Sequence, residues 1–450
     1  MAHAISLTDG TTTVNLYDLS NTFVKAEGWE MATPGVGKDA EPEIADSLEL
    51  LVQASSVANL QTAVRNIEGL LVSADRRART GLGARVFISV QFDGEASAWR
   101  SEVIAGKLEL PQAPDQWGML KIEGVLAITR RNYWEGPRTQ IALSNQNATN
   151  DTAGLTIYNH DDSDSGNDNY LQIAAASVTG VLPAPVEIEL KHTSGSSVNF
   201  SNIYLANNVF ADPAGFAHIL EGESRESGYG TITANANSSG GNYNAITFTA
   251  ASYGTMLFTL AASLLQRMAG RWFRLLARFH NLSGDAVVQA RIMDSTGTRI
   301  LWAGPEVQPN PAANYNLYDL GALPFPPGGY STSWGALKLS LKFSTGVAGT
   351  SAAELDFLQF TPTDSFRHLR LFTYPVANND LVVDDGIEGV AYLSISSSIV
   401  PLVAPRGEPL MVYPGILQRV YVLADEQDNA MVVARTWAVR MWYRPRRLTL

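Results

Sequence analysis

The chain is predicted to be mainly β: several β-sandwiches in a multi-domain arrangement, with one α-helix flanking the N-terminal one. Three observations predict this. Short runs of alternating apolar and polar residues recur along most of the 450 residues, the pattern of half-buried strands. Turn sequences such as Asp9-Gly10, Asp93-Gly94 and Asp294-Ser-Thr-Gly297 break these runs, as short strands of a sandwich require. Only one stretch, 57–79, carries a sustained three-and-four spacing. At about 150 residues per domain the length corresponds to roughly three domains.

In chain order, Ile5 to Leu16 forms a hairpin around Asp9-Gly10, and Ser47 to Val52 is a short strand. In the helix from Val57 to Arg79, the residues Val57, Leu60, Val64, Ile67 and Leu71 make one apolar stripe. Ser55 or Ser56 caps its start by accepting from a free backbone N–H. Arg76, Arg77 and Arg79 complement the dipole at its end, where Gly81 and Gly83 stop it. Strands follow at Arg85 to Phe92, Trp99 to Leu110 and Met119 to Arg130, with alternation clearest in Val86, Ile88, Val90 and Phe92. From Ser144 to Asn169 there are five aspartates and no Lys or Arg, which predicts a polar loop or ribbon. Tyr170 to Ala176 and Val186 to His192 read as strands. From about Gly195 to Pro375 the pattern is all β. It includes Trp272 to His280, Ala286 to Met293, Thr298 to Trp302 and the alternation of Leu337, Leu339, Leu341 and Phe343 with Lys338, Ser340 and Lys342. A closing strand through Leu355, Phe357 and Phe360 precedes Thr361-Pro362. Met256 to Met268 fits a strand or a helix equally. Near the end, Val420 to Ala424 and Met431 to Tyr443 flank Asp425 to Asn429, an expected hairpin loop. No fixed-period repeat is present, which argues against a solenoid or propeller.

Composition excludes several chemistries. There are no cysteines, hence no disulfide scaffold, thiolate zinc site or cysteine nucleophile. The net charge of −12 opposes a general grip on nucleic-acid phosphates. Charged residues are only 17%, so Ser, Thr, Asn, Gln and Gly must wet the surface. No basic and apolar leader is visible at the N-terminus, and the most apolar uncharged run, Met256 to Leu265, is far shorter than a membrane span. Five Asn-x-Ser/Thr sequons, at Asn147, Asn150, Asn199, Asn237 and Asn281, are what an Asn- and Ser-rich chain carries by chance.

Motifs of catalysis are largely missing. Gly35-Val-Gly37-Lys38 resembles the tail of a phosphate loop, but Asp39 stands where Ser or Thr would hold magnesium. Gly81-Leu-Gly83 lacks the third glycine of a dinucleotide turn, and a strand follows it. The histidines at 3, 160, 192, 218, 280 and 368 are scattered, with no zinc-ligand spacing; His280 reads as a sheet residue. Glu221, Glu223, Glu354 and Asp356 are the carboxylates that could form a glycosidase pair on facing strands, although solvated carboxylates are the simpler reading. Asp161, Asp162, Asp164 and Asp168 are acidic enough for calcium, but lack the register of a calcium loop. No cofactor is expected.

Two basic features stand out. One is the cluster Arg76, Arg77, Arg79 and Arg85. The other is the C-terminal run of Arg435, Arg440, Arg444, Arg446 and Arg447, with Trp437, Trp442 and Tyr443 among them and no acid after Asp428. Arg outnumbers Lys 25 to 7. The planar arginine fork suits protein interfaces, and the acidic whole favours that use over nucleic acid.

Up to Pro137, the order of hairpin, long loop around Glu27 to Glu43, strand, helix and three strands resembles the tube-forming module of long-tailed phage tails. The passage Ile128-Thr-Arg-Arg131-Asn-Tyr-Trp134 into a second domain is similar to distal tail proteins. The region from Gly195 to Pro362, closed by Ala353-Glu-Leu-Asp-Phe-Leu-Gln-Phe360-Thr-Pro362, resembles a carbohydrate-binding jelly roll inserted into such a protein. The resemblance implies a tail-tube-like sandwich over 1–137, a second sandwich interrupted into 138–194 and 376–450, and a jelly roll over 195–375. It implies a homo-oligomeric, hexameric ring in a virion tail, assembled in the host cytoplasm beside other tail proteins. A cell-surface glycan is a further expected partner; sequence-specific nucleic-acid binding and membrane insertion are not expected. On this reading Phe23, Trp29 and Met31 anchor the arm 26–44 in a neighbour, and Arg76, Arg77, Arg79, Arg440, Arg444 and Arg446 complete the subunit interface. If the chain is instead a carbohydrate-binding adhesin, exposed aromatics among Trp272, Trp302, Tyr315, Tyr318, Tyr330 and Trp334 would stack on sugar rings. A glycoside hydrolase with an unseen carboxylate pair is the third reading.

Overall fold

A computed structural model of the chain describes residues 3–17, 22–32, 42–110, 120–145, 154–158, 169–193, 195, 197–208, 219–235, 238–308, 316–325, 336–371, 375–401, 403–426 and 436–450. The fold is mainly β, as expected, with antiparallel sheets throughout the described residues and two α-helices. The chain gathers into two compact units. The first comprises Met1–Thr139, Thr179–Pro183 and Arg444–Leu450; the second comprises Gln140–Val178 and Ala184–Tyr443.

In the first unit one sheet runs Thr13–Asn15, His3–Thr8, Val86–Phe92, Trp99–Glu109, Lys121–Arg131, Glu43–Ala54, Thr22–Glu30. Its two ends meet. Tyr17 bridges Lys25, and the Ala26 N–H donates to the Leu16 carbonyl at 2.8 Å, so the segment that follows the first edge strand is tied to the last. Helix α1, Val57–Thr80, packs Leu60, Ile67 and Leu71 of its stripe into the same core as Leu7, Leu48, Ile88 and Leu126, and Val64 of the stripe is buried as well. Val57, at the head of the expected stripe, is instead exposed. Ser56 caps the helix by accepting the Asn59 N–H at 3.2 Å, and Gly81 ends it in the left-handed region at φ 69°. Close approach of helix and sheet depends on Gly106, where a β-carbon would stand 2.8 Å from both Leu71 Cδ2 and the Ala127 carbonyl.

The second unit is a stack of four sheets. An eight-stranded sheet, with Leu155–Tyr158, Thr436–Tyr443, Ala184–His192, Leu381–Asp385, Val390–Ile395 and Ser398–Val400 along its main path, faces a seven-stranded one. The latter runs Leu143–Ser144, Tyr170–Ile173, Gln418–Glu426, Val198–Asn207, Phe366–Leu371, Val403–Arg406. Between them lies a core including Ile188, Phe200, Leu205, Val422 and Trp437. A six-stranded sheet around Thr350–Pro362 and Arg271–Leu282 faces a four-stranded sheet of Gly254–Thr259, Lys338–Thr345, Ala286–Met293 and Ile300–Val307. Phe258, Phe273, Phe279, Leu341 and Phe343 fill that second core. A smaller core joins the sandwiches: Tyr204, Phe366 and Leu423 from the seven-stranded sheet meet Leu276, Leu317 and Phe357 from the six-stranded one. Thus these two middle sheets bury apolar side chains on both faces. The strands at either end of the 195–375 range, Val198–Asn207 and Phe366–Leu371, pair with each other inside the first sandwich.

Two local expectations change. The run 256–268 is neither one strand nor one helix. It divides into the strand Gly254–Thr259 and the short helix α2, Ala262–Met268, whose Leu264, Leu265 and Met268 close the end of the second core. The strands flanking 425–429 do not form a hairpin: Gln418–Glu426 and Thr436–Tyr443 lie in opposite sheets of the first sandwich. Each turns one alternate set of side chains into the core between the sheets, Val420, Val422 and Ala424 from one strand and Trp437, Val439, Met441 and Tyr443 from the other. Within 144–169, Leu155–Tyr158 is a strand paired with Thr436–Tyr443.

Candidate functional site

The carboxylates named from the sequence converge on the outer face of the six-stranded sheet, where two strands each carry one extra residue. Arg278 opposes Phe357 while Phe279 opposes Leu355, which leaves Asp356 unopposed; Asn281 opposes Glu354, which leaves His280 unopposed. Such bulges turn side chains out of the regular alternation. Asp356 and Arg278 are buried together, with Arg278 Nη1 2.9 Å from Asp356 Oδ2. The Ser239 N–H donates to Asp356 Oδ1 at 2.8 Å, and the Ser239 hydroxyl donates to Glu221 Oε1 at 2.9 Å. Burial pushes the Asp356 carboxyl up to about 7, against the pull of Arg278 and the Ser239 N–H and with a further push from Glu223. Burial also raises the Glu223 carboxyl, while its own backbone N–H and Asn242 draw it down. A β-carbon on Gly240, at φ 61°, would stand 2.5 Å from Glu223 Oε1.

Glu354 takes a different partner. Its Oε2 lies 2.5 Å from His280 Nδ1, and the imidazole stacks on Tyr243 at 4.5 Å between centroids. Asn235 Nδ2 is 3.2 Å from His280 Nε2. The cluster ties Asn235 and Ser239 to the sheet. Asp356 is wholly buried. Among the described residues no group of three or more acidic or histidine side chains could hold a metal ion. The aspartates at 161, 162, 164 and 168 and the Gly35 to Lys38 segment lie outside the described residues, as do His160 and His218. His192 is buried between Phe200 and Trp437.

The expected interface residues fall into three groups. Some turn inward. Trp29 Nε1 donates to Asp46 Oδ2 at 3.3 Å and the indole packs edge-on to Trp134; Asp46 is itself gripped by buried Arg130 at 2.5 Å. Arg446 places Nε and Nη2 on Glu135 Oε1 at 3.2 and 2.8 Å and stacks over Tyr133. Arg444 donates to the Gly136 carbonyl at 3.1 Å, and Arg440 pairs with Glu189 at 3.0 Å beside Trp442. Arg77 closes the end of α1, donating to the carbonyls of Gly81 and Gly83. Others face outward: Met31 is exposed, as are Arg76 and Arg79, the latter paired with Asp75. The Phe23 backbone lies in the strand Thr22–Glu30; its side chain is outside the description. The same strand takes up Glu27, and Glu43 begins the next one; of the expected arm 26–44, residues 33–41 lie outside the described residues.

Of the expected sugar-stacking residues, Trp302 and Tyr318 pack against the second core. Tyr315, Tyr330 and Trp334 lie outside the described residues. Trp272 is 53% exposed. Across the outer face of the first unit, Lys25–Glu27 and Lys121–Glu123 pair at 3.4 and 3.3 Å, and Lys107 pairs with Glu109. With Glu49 these glutamates line an open groove of about 600 Å³.

Sequence reading misses the buried Arg–Asp pairs. Arg130–Asp46 joins strands 84 residues apart, and Arg367–Asp384 joins the two sheets of the first sandwich. The available signal was charged residues within otherwise apolar strands.

No family model and no curated protein sequence matches the chain. Among solved structures it is similar to a chain of the phage P2 baseplate in its activated conformation with calcium, at 8% identity and a TM-score of 0.28, over 96% of this chain and 100% of that one. The strontium form of that baseplate gives 8% and 0.27 over the same shares. An exo-β-1,3-galactanase from Phanerochaete chrysosporium with β-1,3-galactotriose gives 11% and 0.21, over 70% of this chain and 78% of that one. At such scores neither likeness decides function. Among the described residues no helix is long and apolar enough to cross a membrane.

Proposed function

We propose that the chain is a structural subunit of a phage tail, a distal-tail or tail-tube component that assembles as a homo-oligomeric ring of six and displays its second sandwich, a jelly roll, outward. The observation that carries this reading is the first unit. A hairpin, a strand before a single flanking helix and three strands after it lie in one sheet and share a core with α1, in keeping with the order that the tail-tube resemblance implies, although Thr22–Glu30 is a strand where that order has the start of a long loop. A role in assembly, without catalysis, is supported by the neutralisation of the buried carboxylates: Asp46, Asp356 and Asp384 each face an arginine. The side chains available to a neighbouring subunit are those left outward, Met31, Arg76 and Arg79, in place of the inward Trp29 and Arg446. A ring needs two different complementary patches on each subunit. Other tail proteins would contact the ring's two faces in a virion assembled inside the host.

Electron microscopy and sedimentation of the full chain test this. Closed rings with sixfold symmetry are expected, and Met31→Glu with Arg79→Glu should yield folded protein of lower mass. A discrete monomer that cleaves polysaccharide would refute the structural role. Exposed Trp272 and Tyr253 favour glycan binding by the displayed sandwich as a second activity, which a glycan array checks directly.

A further inference from the structure

The outer face of the seven-stranded sheet carries side chains at the rim of the core that joins the two sandwiches. On the strand Phe366–Leu371, His368 stands opposite Tyr204 on one side and opposite Arg406 on the other. Arg370 follows two residues later, on the same face. The imidazole stacks on the Tyr204 ring at 4.6 Å and 18°, and its Nε2 is 2.7 Å from Asn202 Oδ1. Tyr204 also packs against Phe366, whose ring lies under the Arg274 guanidinium at 4.9 Å.

Three arginines therefore crowd one histidine. Arg274 is hydrogen-bonded to Asp319 and so is already neutralised. Arg370 and Arg406 are exposed, and neither has an ion pair among the described residues. Burial, with the fields of Arg406, Arg274 and Arg370 outweighing that of Asp319, brings the imidazole down to about 4, so it is neutral near pH 7. The patch is thus positive in a chain of net charge −12. Diagonal neighbours on adjacent strands stand about 7–8 Å apart, within reach of two arginine forks converging on one group.

We infer that Arg370 and Arg406 form a binding site for an oxyanion, the carboxylate or phosphate group of a larger ligand, with the His368 ring beside it. Each guanidinium offers two parallel N–H donors to a planar or tetrahedral oxyanion. The bound charge offsets the mutual repulsion of the arginines. The imidazole spends its Nε2–H on Asn202 Oδ1, so the donors aimed at the anion are those of the two guanidinium forks. Carboxylate and phosphate share this chemistry, so the ligand arms of the experiment separate them. The site does not depend on ring assembly.

The test is titration of the full chain with glucuronate and, separately, with inorganic phosphate, read by calorimetry and by the ring resonances of isotope-labelled histidines. Saturable binding of at least one anion is expected, weakened about tenfold or more in Arg370→Gln and in Arg406→Gln. Both variants should melt with the parent, because the replaced side chains are exposed. Saturation should also move the His368 titration midpoint upward, since the anion cancels the arginine field. Preference for glucuronate assigns a carboxylate ligand, and preference for phosphate a phosphorylated one. Binding that is undiminished in both variants, or no saturable binding of either anion, overturns the site.

Discussion

One strand, Phe366–Leu371, treats arginine in two opposite ways. Arg367 points into the first sandwich, where it is almost fully buried. There its Nε and Nη2 hold Asp384 at 2.8–3.2 Å, and Nη1 donates to the Gly407 carbonyl at 2.6 Å. Arg370, on the other face, is exposed and meets no carboxylate among the described residues. Arg130–Asp46 in the first unit and Arg278–Asp356 on the covered outer face of the six-stranded sheet repeat this buried pairing. Inside, a guanidinium is tolerable only with its charge matched and its donors used, because desolvation is costly. Outside, water solvates it, and an unmatched fork stays available to a ligand.

Breaking an inner pair should have the largest effect. Asp384→Ala strands the Arg367 charge in the core and is expected to cost about 3–5 kcal/mol, measured by denaturant unfolding of the second unit. Replacing both partners with apolar residues should restore most of that loss. A cost no larger than an exposed substitution would mean that water reaches the pair.

Next in size are two opposing pH effects. Asp356 binds its proton more tightly folded, at about 7, than unfolded, near 3.8. Its contribution is therefore complete below pH 4 and is lost as pH rises through 7. His368 binds its proton less tightly folded, at about 4, than unfolded, near 6.5; its contribution is present above 6.5 and is lost as pH falls toward 4. Melting curves of Asp356→Asn and His368→Gln across pH 4 to 7 should separate them. The aspartate variant loses the alkaline fall, and the histidine variant loses the acid fall. The smallest effect belongs to the outer arginines: Arg370→Gln and Arg406→Gln should each change stability by about 0.5 kcal/mol or less, leaving anion affinity as their measurable difference.

Much of the fold is legible in particular residues. The stripe Leu60, Val64, Ile67, Leu71 locates α1, Ser56 and Gly81 bound it, and the alternation at 337–343 marks a strand that is observed over Lys338–Thr345. Alternation says which residues face a core, but it does not say which sheet a strand joins. That is why Gln418–Glu426 and Thr436–Tyr443 resemble a hairpin yet occupy facing sheets. The site was partly legible: Glu221, Glu223, Glu354 and Asp356 stand out as carboxylates of the sandwich. Arg278, Ser239 and His280 become their partners only through the paired bulges, which depend on register across the sheet.

By itself, the sequence determined the β class, the long helix α1, the absence of thiol chemistry and an arginine-rich acidic chain, because these follow from composition and from periods of two or 3.6 residues within a single element. The tertiary structure alone decided which arginines are spent in cores and which remain outward. It also decided that the C-terminal Arg446 returns to Glu135 and that Tyr204, His368 and Arg406 form a row. Those outcomes depend on pairing between segments far apart in the chain, and local pattern does not encode that pairing.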